Sequence, residues 1–217
     1  MISIYRLMAA SAFVVLTSAC TTMQVKYLGV VEEAKTENGP VRVVDGTAVD
    51  GGLKLTAELG KAISLKVENN TPSKLKVIWD ECLIVDQAGV SHRTVHTGVR
   101  YAGKNEHQPP SVVLAGHTLE DEISNSDNIW FERNNWVDEG ALKGSWPMSE
   151  SKAREVLNSE YLGKHITLIV PIQIDGKQKD YELKMKILGY AKRHPTARNA
   201  YEPYVYAKGY EPNNTTL

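Results

Sequence analysis

No excess of basic residues, no membrane-length apolar run and no catalytic signature occur in this sequence. Its 25 Lys+Arg are balanced by 26 Asp+Glu, whereas a nucleic-acid partner would call for a basic face. The uncharged run near the start, "LMAASAFVVL" at residues 7–16, falls well short of the roughly 20 apolar residues that a spanning helix needs. The HExxH pattern of zinc hydrolases is missing, and so is the ligand spacing of an EF-hand calcium loop. No reaction and no cofactor are implied. Cysteine is scarce, with 2 in the chain.

What is present begins at the N-terminus. Arg6 and the chain amine precede the apolar run, and the small residues Thr17, Ser18 and Ala19 follow it. This is the layout of an export signal. Cys20 comes directly after the small residues, and Leu16-Thr17-Ser18-Ala19-Cys20 resembles the lipobox of bacterial lipoproteins, with Thr17 where Leu is commoner. The resemblance implies a signal peptide over residues 1–19, diacylglycerol on the Cys20 thiol, and an acylated mature N-terminus. Several acyl chains anchor stably where one does not. By resemblance to the lipoprotein sorting signal, Thr21 rather than Asp after the cysteine implies the outer membrane, with the domain facing the periplasm or, as the alternative, the cell surface. The mature chain is then 217 − 19 = 198 residues, and its charge is 24 − 26 = −2. Cys82 is left without an intramolecular partner. Its neighbours Ile78, Trp79, Leu83 and Val85 point to burial as a small apolar residue, the other reading being a reactive thiol.

The periodicity is that of a mainly β protein. A strand is expected over Gln24–Val31, and turns at Asp45-Gly46 and Asp50-Gly51-Gly52. "LKLTAEL" and "AISLKVENN" alternate, with Leu53, Leu55, Ala57, Ile63, Leu65 and Val67 on one face. "LKVIWDECLIVD" reads as one long strand bulged near Glu81, and "SHRTVHTG" pairs back on it. "PSVVLAGHTLEDEIS" reads as two short strands about Ala115-Gly116. "HITLIVPIQI" and "YELKMKI" flank "DGKQKD" as a hairpin, with Pro171 expected at an edge or a bulge. One helix is expected, with Ser149 as N-cap, Ala153, Val156 and Leu157 as its apolar stripe, and Gly163 at its stop. Short strands and regular turns argue for a β-sandwich. Val67-Glu68-Asn69, "LIVDQAGVSHR" and "LAGHTLED" resemble the immunoglobulin-like sandwich domains of bacterial lipoproteins over about residues 60–190. That implies an immunoglobulin-like β-sandwich with one helix and a loop insertion. The expected division is a linker with short strands at 20–50, the sandwich at 51–190 with an insertion at 125–163, and a Tyr/Pro-rich tail at 191–217.

Four groups are candidate sites. His92, His96, His107 and His117 lie close in sequence, but His92 and His96 on one strand face would stand about 13 Å apart at ~3.3 Å per residue. Polar strand faces or loops are the plainer account, and a metal site the other. The acids Asp80, Glu81, Asp86, Glu120, Asp121, Glu122 and Asp127 are explained by solvated sheet edges, with acid–base catalysis as the alternative. Trp130, Phe131, Trp136 and Trp146 sit in an aperiodic stretch and could contact a glycan or a protein, or cap the sandwich. Tyr201, Tyr204, Tyr206 and Tyr210 fill a proline-punctuated tail that could dock on a partner or back on its own sandwich. The expected function is non-catalytic binding or assembly in the envelope. The lipid anchor contacts the membrane, and a protein partner is expected in the periplasm. The alternatives are a peptidoglycan-binding module, a metal-dependent hydrolase, and a surface-exclusion or immunity lipoprotein.

Overall fold

Alternation of apolar and polar residues is carried directly into the strands. The computed structural model describes residues 22–193 and 200–212; residues 1–19 and Cys20 lie outside this range, as do parts of the expected tail. In β4 (Leu53–Leu59) and β5 (Ile63–Asn69) every second side chain is buried, from Leu53 to Val67. Successive residues of a strand point to opposite faces, so these buried positions share one surface. The hairpin of β14 (His165–Ile174) and β15 (Lys177–Arg193) pairs Ile174 with Lys177 through to His165 with Lys186. Ile166, Leu168, Val170, Ile172, Tyr181, Leu183, Met185 and Ile187 are buried between the layers.

The molecule is mainly β, a sandwich formed by an antiparallel sheet folded over on itself. The pairing runs from β1 (Met23–Thr36) to β4 and β5, on to β10 (His117–Asn125), β8 (Ser91–His96) and β7 (Leu83–Val85), then through β14 and β15 back to β1. The layers are therefore hydrogen-bonded to one another on both sides. Between β1 and β4 the chain makes the short strands β2 (Gly39–Val44) and β3 (Thr47–Asp50), which continue the meander. β6 (Leu75–Val77) and β9 (Ser111–Val113) extend the sheet from β14 to a free edge.

Several expectations are altered. Strand β1 runs 14 residues and carries Met23, Val25, Tyr27 and Val31 into the same core as the later strands, so the sandwich begins well before residue 51. The stretch expected as one bulged strand is two, split by a 3-10 turn at Trp79–Glu81. That break accommodates Pro171. The proline lies between the part of β14 paired with β7 and the part paired with β6, and its carbonyl accepts from Ile78 N at 3.0 Å. A missing N–H costs nothing where the neighbouring strand is interrupted. Cys82 follows the turn and is 1% exposed. Burial pushes its thiol pKa well up.

The segment 125–163 is also more than a loop. It holds a separate hairpin of β11 (Ile129–Glu132) and β12 (Asn135–Asp138). The short strand β13 (Ser145–Trp146) then pairs with Met23 and Gln24. Helix α1 (Glu150–Val156) continues into a wider turn over Leu157–Tyr161, and Gly163 ends it. Ser149 occupies the N-cap position, but its hydroxyl bonds no backbone N–H there; it meets the Ser151 hydroxyl at 3.4 Å. Ala153, Leu157 and Tyr161 pack into the core.

The tail folds back. Val205–Tyr206, strand β16, pairs with Gly189 and Tyr190 of β15. A Cβ on Gly189 would stand 2.9 Å from the Val205 carbonyl oxygen, so only glycine admits this approach. Tyr204, Tyr206 and Tyr210 contact one another in series at 5.9 and 5.6 Å. The Lys26 ammonium lies over Tyr201 and Tyr204 at 4.7 and 5.3 Å, and Glu202 meets Lys192 at 3.1 Å.

Candidate binding cleft

An open cleft of about 650 Å³ lies on the outer face of β4, β5, β10 and β8, within the ~300–1,000 Å³ typical of ligand sites. Its floor follows from strand register. Glu58 of β4 pairs with Ser64 of β5, which pairs with Glu122 of β10. At about 4.8 Å per strand, the two glutamates stand about 10 Å apart across a small hydroxyl. The adjoining rows differ. There Lys66 meets Glu68 at 3.5 Å and Glu120 at 3.8 Å, and Lys54 meets Glu68 at 3.7 Å. No basic residue occurs in the cleft row, and neither Glu58 nor Glu122 has a basic partner among the described residues. Of the charged cleft-lining residues, Glu58, Glu122 and Asp138 oppose Lys61, and beneath the opening Val95 and Ser124 are buried. His96 borders the cleft as well, but its ring pairs with Asp121 on the inward-facing side discussed below.

One wall is the β11–β12 hairpin. Its two-residue turn, Arg133-Asn134, has φ of 48° and 61°, the left-handed pair of a type I′ turn. Phe131 and Trp136 are directly opposed across the strands, with ring centroids 5.4 Å apart and planes at 58°. Tyr101 adds a third ring, 6.0 Å from Trp136 at 61°. Such edge-to-face pairs are each worth about 0.5–1.5 kcal/mol. The ladder leads from the cleft outward, and Phe131 at its end is 58% exposed. Trp130 is on the other hairpin face, its Nε1 donating to Glu132 at 3.4 Å.

The root of the hairpin is built for rigidity. Asp138 accepts from Tyr101 Oη at 2.9 Å, Ser124 Oγ at 3.3 Å and Gly140 N at 2.7 Å. Burial, then this carboxylate, raises the Tyr101 phenol pKa. Lys104 Nζ donates to the carbonyls of Ser126 and Ile129 at the start of β11. Gly140 has φ +90°, and a Cβ there would fall 1.9 Å from the Lys61 carbonyl oxygen. The same oxygen accepts from Ala141 N at 2.9 Å. Hairpin and β4–β5 turn are thereby clamped together.

The histidines are placed apart, and three are committed to carboxylates. His92 contacts Asp127 through Nδ1 at 2.8 Å and Asp86 through Nε2 at 3.2 Å. Burial pulls its pKa down, but the two carboxylates outweigh this and raise it. His107 pairs with Asp80, which also accepts from Gln108 N at 2.8 Å and from Arg93. His96 meets Asp121 at 3.0 Å and stacks on Trp79 at 4.3 Å. Burial would raise the Asp121 carboxyl, yet His96 and Thr97 hold it below the ordinary value. His96 and Asp121 alternate with the outward cleft residues and so point inward, and the free His96 Nε2 is shut from solvent. His117 is exposed, with Nδ1 3.0 Å from Ala115 O. Among the described residues no three His, Cys, Asp or Glu side chains are grouped to hold a metal.

Of the expected aromatic contacts, Trp130 and Trp136 are at the surface. Trp146 is corrected: it is 3% exposed, set edge-on to Tyr161 at 5.5 Å within the core. Tyr201, Tyr204 and Tyr206 are spent on the molecule's own β1 and β15, and Tyr210 packs on Tyr206. Sequence reading missed Tyr101, Asp138, Glu58 and the role of Gly140. Only the Asp-Glu-Gly turn signal at 138–140 hinted at any of them. Set beside known proteins, the chain matches no family model, no curated protein and no solved structure.

Proposed function

We propose that this chain is a lipid-anchored envelope protein of the outer membrane with a binding or assembly role, and that it holds a periplasmic protein partner at the aromatic-walled cleft. The observation that carries this reading is the Tyr101–Trp136–Phe131 ladder on a rigidly rooted hairpin. Exposed aromatics beside a pocket are the usual anchors of protein interfaces. Ring geometry favours a protein over a glycan. Planes inclined at 58° and 61° offer no flat platform for successive sugar rings; they offer edges and notches that side chains fill. Hydrolysis finds less support, because among the described residues the one buried His–Asp pair faces the interior. The anchor itself rests on Cys20, outside the described residues.

The test is a photo-crosslinking amino acid at Phe131 in cells of the native host, with Lys177 as a control position. A partner captured from Phe131, and lost with Trp136→Ala while the melting temperature is kept, supports the reading. Capture no greater than from Lys177 refutes it. Labelled palmitate entering the wild type but not Cys20→Ala would support the tether, and a Cys20→Ala protein still membrane-bound would sink it.

A further inference from the structure

The charge of the cleft identifies what the partner brings to it. We infer that the occupant is an extended basic segment of the protein partner, with a Lys or Arg side chain seated between Glu58 and Glu122 over Ser64. The inference rests on the binding reading above and deepens it.

Three observations converge. First, the outer face of β4, β5 and β10 is charge-matched row by row, with Lys54, Lys66, Glu68 and Glu120 in mutual contact, except at the row that forms the cleft floor. There two carboxylates flank a serine, and among the described residues no cation answers them. Second, the small Ser64 leaves room where the neighbouring row carries the long Lys66. A cation entering from outside would take the place that Lys66 takes one row away. Third, the aromatic wall stands beside this floor, with Tyr101 in the cleft and Trp136 against it. The aliphatic stem of Lys or Arg packs well on aromatic rings, and its charge is attracted to their faces. Lys61 is the single basic residue of the lining and leaves the cleft net negative. Backbone contacts along an extended segment would then follow the hairpin toward Phe131. Acidic partners are disfavoured by the same carboxylates.

The full chain, purified in detergent, is titrated into fluorescein-labelled hexalysine and hexaglutamate, with anisotropy as the readout. Hexalysine is expected to bind and hexaglutamate not. Glu58→Gln/Glu122→Gln should weaken hexalysine binding about tenfold, the sum of two exposed charge pairs. Glu68→Gln/Glu120→Gln removes the same net charge one to two rows away and should leave binding near wild type. Four results overturn the inference: no hexalysine binding, equal loss from both double variants, no loss from Glu58→Gln/Glu122→Gln, or displacement of hexalysine by a neutral chitin tetrasaccharide, which would assign the cleft to a glycan. The two proposals fail separately. If Trp136→Ala abolishes crosslinking in cells while Glu58→Gln/Glu122→Gln leaves it intact, the basic segment is refuted and the aromatic interface stands.

Discussion

Replacing Gly140 by alanine should unseat the β11–β12 hairpin, and the size of the effect can be worked from the structure. Two penalties add. Alanine at φ +90° carries a backbone strain of about 1–3 kcal/mol. Its Cβ would also lie 1.9 Å from the Lys61 oxygen and 2.6 Å from the Lys61 carbonyl carbon. Both are backbone atoms, so no side chain can swing aside; the chain itself must part. Three hydrogen bonds are then at stake: Ala141 N to Lys61 O at 2.9 Å, Asn125 N to Gly140 O at 3.1 Å, and Asn128 Nδ2 to Gly140 O at 3.2 Å. At about 1 kcal/mol each, losing two of them brings the total to about 3–5 kcal/mol. Gly116→Ala is the control, since Gly116 has φ +74° but nothing within 4 Å of a Cβ, and it should cost only the strain. The difference, about 2 kcal/mol, corresponds to a melting temperature lower by ~4–8 °C for a chain of this size. Circular dichroism melts of the two variants give that number, and tryptophan emission, to which Trp130 and Trp136 of the hairpin contribute, reports whether the hairpin has lifted. Equal melting temperatures, with unchanged tryptophan emission, would refute the claim that close approach at Gly140 roots the hairpin.

Other consequences are open to measurement. The Cys82 thiol, buried and raised in pKa, should resist a thiol reagent in the native protein and react fully in denaturant; fast native labelling would contradict its burial. His92 keeps its proton to higher pH folded than unfolded, so its contribution is complete below the ordinary value of 6.5 and drains away as pH rises through the raised one. The melting gap between wild type and His92→Gln should accordingly be wider at about pH 5.5 than at about pH 8.5, and the reverse order would contradict the assigned ion pairs. Ending the chain at residue 199 removes β16 and the tyrosines over Lys26; the melting temperature should fall by several degrees, about 2–4 °C per kcal/mol lost. No change would mean that the docked tail contributes nothing to stability.

The parts of the fold that were legible in the sequence are those in which neighbours along the chain decide the outcome. Leu53 to Leu59, Ile63 to Val67 and Tyr181 to Ile187 alternate, as does Ile166 to Ile172 apart from Ile169 and Pro171, and the structure buries the alternating set as one face. At Trp79–Glu81 the place of an irregularity was legible but its form was not: a bulge was expected where the strand breaks outright, because no glycine or proline marks a break and what forces it is tertiary, the pairing of one stretch with two parts of β14. Trp146 was misread for a similar reason. Two residues of strand are too few to show a period, and the pairing of β13 with Met23 lies far off in sequence. The cleft was the least legible feature. Glu58, Ser64 and Glu122 become neighbours only through register, and Tyr101 reaches Asp138 across 37 positions.

The docking of the tail bears on how the molecule would resist a pull. Gln24 pairs with Arg193, Met23 lies against Trp146, and the tyrosines of the returning tail cover Lys26. The first residues of β1 are therefore gripped from both edges and from above, within a few positions of where the described chain begins. A pull on the N-terminal end, with a partner held at the cleft, would reach β1 as a peeling force, opening pairs one at a time. The tyrosine clasp sits over the first pairs that such a force must open, so the C-terminal segment acts as a latch on the N-terminal one. Trimming the tail would then lower the force at which the protein gives way more than it lowers its resistance to heat.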